Sequence, residues 1–369
     1  MIKKKILINI NTSWNVYNFR LGLIKSLQLK GYEIVALAPK DEYVIKLESI
    51  GVKCCHVSIN QKGTNPISDY ILFLNYLKLF KKIKPDLILS YTIKPNIYGN
   101  FAAQVLNIPT INNISGLGTL FIKSTFISFI GKILYKFSLK RSAHIFFQNN
   151  HDRKLFLKSN LVSSHNSSVI PGSGVDTEIF KNNKNINRGQ KYLFLGRLIG
   201  DKGVFEYLEA AAKIVEEYPE VQFLLAGELG YNNKTALSEI QLDSYTNSQI
   251  KYLGKIDNIV NLLKSIDVMV LPSYREGLSK SLIEAASMSI PIITTDVPGC
   301  NDVVEDGYNG FICEVKSSES LQKKIKKMIE LSSEKRIEMG KNGRKIVIDK
   351  FDEDIIIKHY IKVIEIELR

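Results

Sequence analysis

The chain has 369 residues, enough for two ordinary domains, and its 45% hydrophobic and 24% charged residues are those of a folded protein. That composition excludes a disordered tail, a collagen and a disulfide-stapled miniprotein. The net charge of +13 is one-sided: residues 1–180 carry 23 basic and 9 acidic residues, net +14, and residues 181–369 carry 27 and 28, net −1. The first half is therefore suited to an anionic partner, whether nucleic acid, a phosphorylated substrate or an anionic membrane.

The four cysteines, Cys54, Cys55, Cys300 and Cys313, make no C-x-x-C pair and no zinc spacing, so reduced, buried thiols are expected. Met1-Ile2-Lys3-Lys4-Lys5 is basic, but only Ile6-Leu7-Ile8 follows before asparagines intervene, so no secretory leader is expected. The greasiest stretch, Leu120 to Tyr135, is interrupted by Lys123 and Lys132 and is too short to span a bilayer. A cytosolic protein is expected, free or resting on a membrane surface.

In chain order, short runs rich in Ile, Leu and Val predict strands at Ile6–Ile10, Ile34–Ala38, Leu87–Ser90, Thr110–Ile114, Ile145–Gln148 and Val169–Ile170. Helical patterns fall between them, as at Phe19 to Leu29 and Ser68 to Lys82. A second series runs through Tyr192–Leu195, Gln222–Ala226, Ile250–Leu253, Val268–Leu271, Ile292–Thr294 and Phe311–Cys313. Such β-α alternation predicts doubly wound parallel sheets. It breaks once, in the polar stretch Lys181 to Gly189, which reads as a linker. The expected organisation is a domain over 1–180, a linker over 181–190, a second domain over 191–345 and a terminal helix over 346–369 that is free to pack back on the first domain. Ligands are expected in a cleft at the carboxyl ends of the strands.

The most informative segment, Pro272 to Ala286, follows a predicted strand and opens a helix. Ser279 and Ser281 suit its N-cap, and the backbone N–H groups of Gly277, Leu278 and Ser279 would form an anion site suited to a diphosphate. Glu276 on the loop and Glu284 inside the helix could accept hydrogen bonds from a polyhydroxylated ligand. On their own, two glutamates eight residues apart are better explained as a helix cap and a surface side chain. They are accompanied by Gly196-Arg197-Leu198-Ile199-Gly200-Asp201-Lys202-Gly203 after the first strand of the second series. Arg197 and Lys202 could neutralise a leaving diphosphate; a solvated basic turn is the plainer reading for Lys202, less so for Arg197.

Glu276-x7-Glu284, Gly196-Arg197-Leu198 with Lys202-Gly203, Leu271-Pro272-Ser273, and Pro298-Gly299 through Asp306-Gly307-Tyr308-Asn309-Gly310 together resemble the family 4 retaining glycosyltransferases in identity, order and spacing. The resemblance implies an α/β GT-B fold: two Rossmann-like doubly wound domains, the acceptor mainly on the first and a nucleotide-sugar on the second. It implies that Arg197 and Lys202 hold the donor diphosphate, that Glu284 takes the ribose hydroxyls, and that Glu276 contacts the transferred sugar. Gly196, Gly277, Leu278 and Ser279 would complete the donor site. The family needs neither metal nor other cofactor.

Asn18-Phe19-Arg20, Lys94-Pro95-Asn96, Ser115-Gly116-Leu117-Gly118 and Ile170 through Asp176 resemble the branch that extends lipid-diphosphate-linked sugars in O-antigen, capsule and N-glycan assembly. That branch implies transfer of an N-acetylhexosamine, such as GalNAc, from a UDP-sugar to a sugar on undecaprenyl diphosphate, at the cytoplasmic face of the inner membrane. On the acceptor side it points to Ser13, Trp14, Asn15, Arg20, Lys94, Ser115 and Gly116. The chain departs from the family in three places: Thr12-Ser13-Trp14-Asn15 replaces a glycine-glycine loop, Ser115 stands where many members have a sugar-contacting histidine, and Ser279 replaces a common proline. Trp14 either stacks on a sugar or packs in the core. The scattered histidines His56, His144, His151, His165 and His359 give no metal spacing, and His144 suits a satisfied core residue.

Leu120 to Arg141 is amphipathic, with Ser124, Ser128, Lys132, Lys136 and Lys140 on one side and Phe126, Ile127, Ile130, Ile133, Leu134 and Phe137 on the other. It either lies in an anionic membrane interface or packs its apolar face on the first sheet. Two alternatives to a lipid-linked acceptor are a soluble acceptor and, more distantly, nucleic acid, for which no binding motif is present.

Overall fold

The computed structural model describes residues 3–60, 65–116, 126–182, 189–230 and 233–369. The predicted residues Leu117, Gly118, Lys123 and Ser124 and most of the predicted linker lie outside them. The strands are β1 (Lys5–Asn9), β2 (Glu33–Ala38), β3 (Lys53–His56), β4 (Leu87–Tyr91), β5 (Thr110–Ile114), β6 (His144–Phe147) and β7 (Ser167–Val169), then β8 (Lys191–Leu195), β9 (Gln222–Ala226), β10 (Ile250–Tyr252), β11 (Val268–Leu271), β12 (Ile292–Thr295) and β13 (Gly310–Cys313). The helices are α1 (Ser13–Leu29), α2 (Tyr43–Glu48), α3 (Pro66–Ile83), α4 (Asn100–Val105), α5 (Phe126–Leu139), α6 (Asn150–Lys158) and α7 (Val204–Glu217). They continue with α8 (Glu239–Asp243), α9 (Ile259–Lys264), α10 (Lys280–Ser287), α11 (Ser318–Glu330), α12 (Ser333–Lys350) and α13 (Glu353–Glu367). A five-residue π-helix, Pro95–Gly99, precedes α4.

The chain forms two units, residues 1–173 with 354–369, and residues 174–353. The first holds a parallel seven-stranded sheet in the order β3-β2-β1-β4-β5-β6-β7. The second holds a parallel six-stranded sheet in the order β10-β9-β8-β11-β12-β13. Each is doubly wound, with the strand order reversing between β1 and β4 and between β8 and β11. Loops at the carboxyl ends of those strand pairs are where such sheets bind ligands.

The strands are apolar on both faces because both faces are covered. In β1, Ile6 and Ile8 pack with α1 and α13, while Leu7 packs with Leu72, Tyr76 and Phe80 of α3. Ile356, Ile357, Tyr360 and Ile364 of α13 are buried in the first of those layers, each contributing about 1.5–3 kcal/mol by removal of apolar surface from water. The terminal stretch predicted as one helix over Ile346 to Leu368 is broken. The Val175 N–H donates to the Phe351 carbonyl (2.9 Å) and the Glu353 N–H to the Val175 carbonyl (3.0 Å), which interrupts the helix between α12 and α13. Those bonds, with Arg344 donating to the carbonyls of Thr177 and Phe180, join residues 174–180 to the second unit.

β3 has no counterpart among the predicted strands. It is an edge strand with exposed Lys53 and His56, and its two cysteines point to opposite faces of the sheet. Cys54 packs in one layer and Cys55 in the other, so adjacency in sequence separates the thiols. Both are half-buried rather than buried as expected. Burial pushes the Cys300 and Cys313 thiols up to about 12, which keeps them protonated.

α5 decides between the two orientations left open for the amphipathic stretch: much of its apolar stripe is exposed rather than packed on the first sheet. Ser128, Gly131, Tyr135, Ser138 and Leu139 face inward, while Phe129, Ile130, Ile133 and Phe137 are exposed. The small residues are inside because α5 lies close against the π-helix and α4: Asn100 Nδ2 and Gln104 Nε2 both donate to the Ser138 carbonyl. Among the described residues, no helix is long and apolar enough to cross a membrane.

Candidate active site

The site in the second unit is built on the loops that leave β8 and β11, the two strands of its switch point. Gly203 has φ +74°, and a Cβ there would collide with the carbonyl oxygen of Pro272. The Tyr274 N–H (2.9 Å) and the Ser273 hydroxyl (3.2 Å) donate to the Asp201 carbonyl. A third loop joins them: Gly299, at φ +81°, would bring a Cβ to 2.7 Å from the Glu276 backbone. The Glu276 N–H donates to the Pro298 carbonyl (3.2 Å). Glycines at these two positions let three backbones meet.

This knitting carries Lys202 onto Glu276, whose carboxylate accepts from the Lys202 ammonium; the two side chains are only 18% and 11% exposed. Glu284 lies one turn into α10 and is buried, with Lys280 Nζ 4.0 Å away. Burial pushes its carboxyl up to about 7, and Lys280 offsets only part of that. Gly196 and Arg197 open the same loop as Lys202. Arg197 is exposed, and its carbonyl accepts from the Ile199 N–H (2.9 Å).

The helix entrance differs from expectation at Ser279. Its N–H donates to the Gly299 carbonyl (3.0 Å), so this donor is used within the fold rather than held for an anion. Its hydroxyl does not cap α10 and lies 3.3 Å from that of Ser281. Gly277 and Leu278 stand in the loop ahead of α10, as expected. The Asp306 to Gly310 turn has a structural role. The Asn309 side chain bridges the Glu305 N–H and the Val303 carbonyl, and a Cβ on Gly310 would collide with the Ile292 carbonyl, so glycine lets β13 join β12.

In the first unit the residues expected on the acceptor side follow the carboxyl ends of β1, β4 and β5. Ser13, Trp14 and Asn15 form the first turn of α1, capped by the Thr12 hydroxyl, which accepts from the Asn15 N–H (3.1 Å). The Ser13 hydroxyl is buried and donates to the Pro39 carbonyl (2.9 Å). Trp14 is exposed and meets Phe19 edge-on at 5.3 Å. Arg20 is buried, with its guanidinium 4.2 Å over the Tyr91 ring. Lys94 pairs with Asp69 (2.5 Å), which also accepts from the Tyr98 hydroxyl (2.8 Å). The Ser115 hydroxyl donates to Asn113 Oδ1 (3.0 Å), and Gly116 has φ +128°.

Sequence reasoning passed over the network beneath Ser115. Asn113 Nδ2 donates to the Tyr360 hydroxyl of α13 (2.6 Å), and Asn112 Nδ2 donates to Asn96 Oδ1 (2.8 Å) and Asn100 Oδ1 (3.0 Å). The signal was available: two adjacent asparagines inside an otherwise apolar strand need buried partners. The Tyr274 hydroxyl donates to Glu206 (2.5 Å) from the loop after β11, a contact that no local pattern announces. A D-x-D spacing occurs at Asp352-Glu353-Asp354, but Asp352 accepts from the Thr177 hydroxyl at the α12–α13 junction (2.5 Å). Among the described residues, no three His, Cys, Asp or Glu side chains are placed to hold a metal ion.

Two doubly wound parallel-sheet domains, one with Lys202 and Glu276 on its switch-point loops and Glu284 in the helix that follows, are those of the GT-B class. Residues 5–149 match the family model described as Glycosyl transferase 4-like, and residues 175–346 the model described as Glycosyl transferases group 1. The chain belongs to the family 4 glycosyltransferases. It is 29% identical to the N,N'-diacetylbacillosaminyl-diphospho-undecaprenol alpha-1,3-N-acetylgalactosaminyltransferase of Campylobacter jejuni, over 95% of each chain. It is 28% identical to the UDP-Gal:alpha-D-GlcNAc-diphosphoundecaprenol alpha-1,3-galactosyltransferase of Escherichia coli, over 78% of this chain and 76% of that one. The structure of Anabaena HepE with UDP and glucose shares the fold, with TM-score 0.80 at 18% identity, over 97% of this chain and 99% of that one.

Proposed function

We propose that the protein transfers an N-acetylhexosamine, such as GalNAc, from a UDP-sugar to a sugar carried on undecaprenyl diphosphate, with retention at the anomeric carbon, at the cytoplasmic face of a membrane. The observation that carries this reading is the joining of Lys202 to Glu276 on the switch-point loops, ahead of the helix that holds buried Glu284. The Campylobacter and Escherichia relatives, both named for lipid-diphosphate acceptors, support the choice of acceptor.

In this reading Lys202, with Arg197, neutralises the donor diphosphate. Lys202 has three N–H donors, so one can hold a phosphate oxygen while another stays on the Glu276 carboxylate. Glu284 accepts from the ribose hydroxyls, and Glu276 accepts from hydroxyls of the transferred sugar. The acceptor hydroxyl oxygen bonds to the anomeric carbon on the face from which UDP departs. The bond from that carbon to the diphosphate oxygen breaks with its electron pair. The acceptor's proton passes to the departing phosphate oxygen. The enzyme supplies position and charge rather than a covalent intermediate.

Membrane contact is part of the proposal. It is supported by the exposed apolar stripe of α5 with Lys132, Lys136 and Lys140 alongside, the composition of an interfacial helix. The test is incubation with a panel of UDP-sugars and a synthetic undecaprenyl-diphosphate N-acetylhexosamine, with the product read by mass. Addition of one hexosamine residue supports the reading; transfer to free sugars alone overturns it. UDP should also raise the melting temperature.

A further inference from the structure

The first unit holds a groove of about 1260 Å³, walled by α3, α4 and α5 and floored by the π-helix. Its lining is mostly apolar, with Tyr70 and Phe73 on one wall, Ile130 and Leu134 on the other, and Ile97 and Phe101 beneath. The volume exceeds the roughly 300–1,000 Å³ of pockets that enclose small ligands. The groove opens among the exposed apolar side chains of α3 and α5, including Ile71, Leu74, Phe129 and Ile133.

Its ends are polar and mainly cationic. At one end are Lys94, three residues beyond β4 and so at the carboxyl edge of the sheet, with its partner Asp69. At the other are Lys140 and Arg141, just ahead of β6 and so at the opposite edge. From Asp86 to Asp152 the chain has no acidic residue between them and six basic ones, so this stretch is strongly basic. An apolar trough whose polar ends bear three cations against one carboxylate fits a long hydrocarbon chain attached to an anionic head. A flat bilayer surface would cover the exposed rim but would not reach Ile97, which is 3% exposed on the floor.

We infer that this groove receives the polyprenyl chain of the lipid-diphosphate acceptor, entering from the Lys94 end, where the acceptor-side residues lie. The inference rests on the proposed function, since it assigns a place to that acceptor's tail. It makes the chain a recognised part of the substrate rather than a passive anchor.

The test compares two acceptors carrying the same sugar diphosphate, one on an undecaprenyl chain and one on a ten-carbon chain, with the full-length protein in detergent micelles. The undecaprenyl acceptor should have a kcat/KM at least tenfold higher. Leu134→Trp and Gly131→Phe, which fill the trough, should remove that preference by raising KM for the long chain, while the UDP-induced rise in melting temperature persists. A diazirine placed on the third isoprene unit should label peptides containing Tyr98 or Phe101. Equal kcat/KM for the two acceptors overturns the inference, as does a preference untouched by both variants. Labelling confined to Phe129 and Ile133, or equal groove labelling by a diazirine phospholipid, also overturns it. No transfer to either acceptor would instead sink the underlying function.

Discussion

Gly203 is held against Pro272 so closely that no side chain fits between the Gly203 Cα and the Pro272 carbonyl. This contact couples the loop after β8 to the loop after β11, and Lys202 and Glu276 meet because of it. Gly203→Ala adds a collision and forces alanine to φ +74°, a region that costs a non-glycine residue about 1–3 kcal/mol. The melting temperature should fall by roughly 2–12 °C, and transfer should drop at least tenfold under conditions where the variant is still folded. Calorimetry with initial rates checks this. A variant that keeps wild-type rate would show that the spacing of the two loops is irrelevant to the site.

Lys202 and Glu276 should behave as one unit in catalysis. Lys202→Met and Glu276→Gln should each lower kcat by about 10²–10³-fold, the loss usual for one preorganised charge-stabilising contact. The double variant should lose little beyond the worse single variant, since each substitution already breaks the pair. Initial rates on the four proteins complete the cycle. Additive losses would mean that the two side chains act on separate parts of the donor, and near-normal rates would remove both from the site.

Glu284 gives a pH signature. Its folded carboxyl titrates near 7 because burial disfavours the charge, against 4.5 when unfolded. The folded state therefore binds the extra proton between those values. The associated stability is fully present below 4.5 and is lost as pH rises through about 7. Ribose hydroxyls are better accepted by the carboxylate than by the acid. At pH 6 a group centred near 7 is about one-tenth ionised, so UDP affinity should weaken about tenfold from pH 8 to pH 6. Glu284→Gln should flatten that dependence and be more stable than wild type at pH 8. Titration calorimetry at the two pH values reads the first effect and thermal melts the second; a pH dependence retained in the Gln variant would assign it to another group.

Much of this was readable before any coordinates, for a physical reason. Strands buried on both faces are mostly apolar runs, so β1, β4, β8 and β11 stand out, and with them the loops that follow. Glycines at close approaches such as Gly203 and Gly299 leave a trace because no other residue fits. What escaped detection depends on partners distant in sequence. β3 is an exposed edge strand with no apolar run. The break between α12 and α13 is made by Val175, more than 170 residues away. Lys94 is tied to Asp69, and Ser115 rests on Asn113, which reaches Tyr360 from the far end of the chain. The outward turn of α5's apolar stripe follows from small residues on its other side, a pattern that amphipathicity alone reads either way.

That stripe sets the last prediction. Phe129 and Phe137 are 61% and 56% exposed, and Lys132, Lys136 and Lys140 lie on the same helix or just past its end. Each lysine near an anionic leaflet contributes about 1 kcal/mol, so reversing all three to glutamate should reduce sedimentation with vesicles rich in anionic lipid by well over tenfold. The effect should shrink as salt is raised, because the attraction is screened within about 10 Å at 0.1 M. Phe129→Ser with Phe137→Ser should weaken binding to anionic and neutral vesicles alike, since it removes buried hydrocarbon rather than charge. Circular dichroism and the UDP-induced melting shift should be unchanged in both variants, because the substitutions lie on α5 or just past its end, outside the switch-point loops of the second unit. Wild-type sedimentation in both variants would place the membrane-facing surface elsewhere, whereas loss in the charge variant alone would make the contact electrostatic, without insertion.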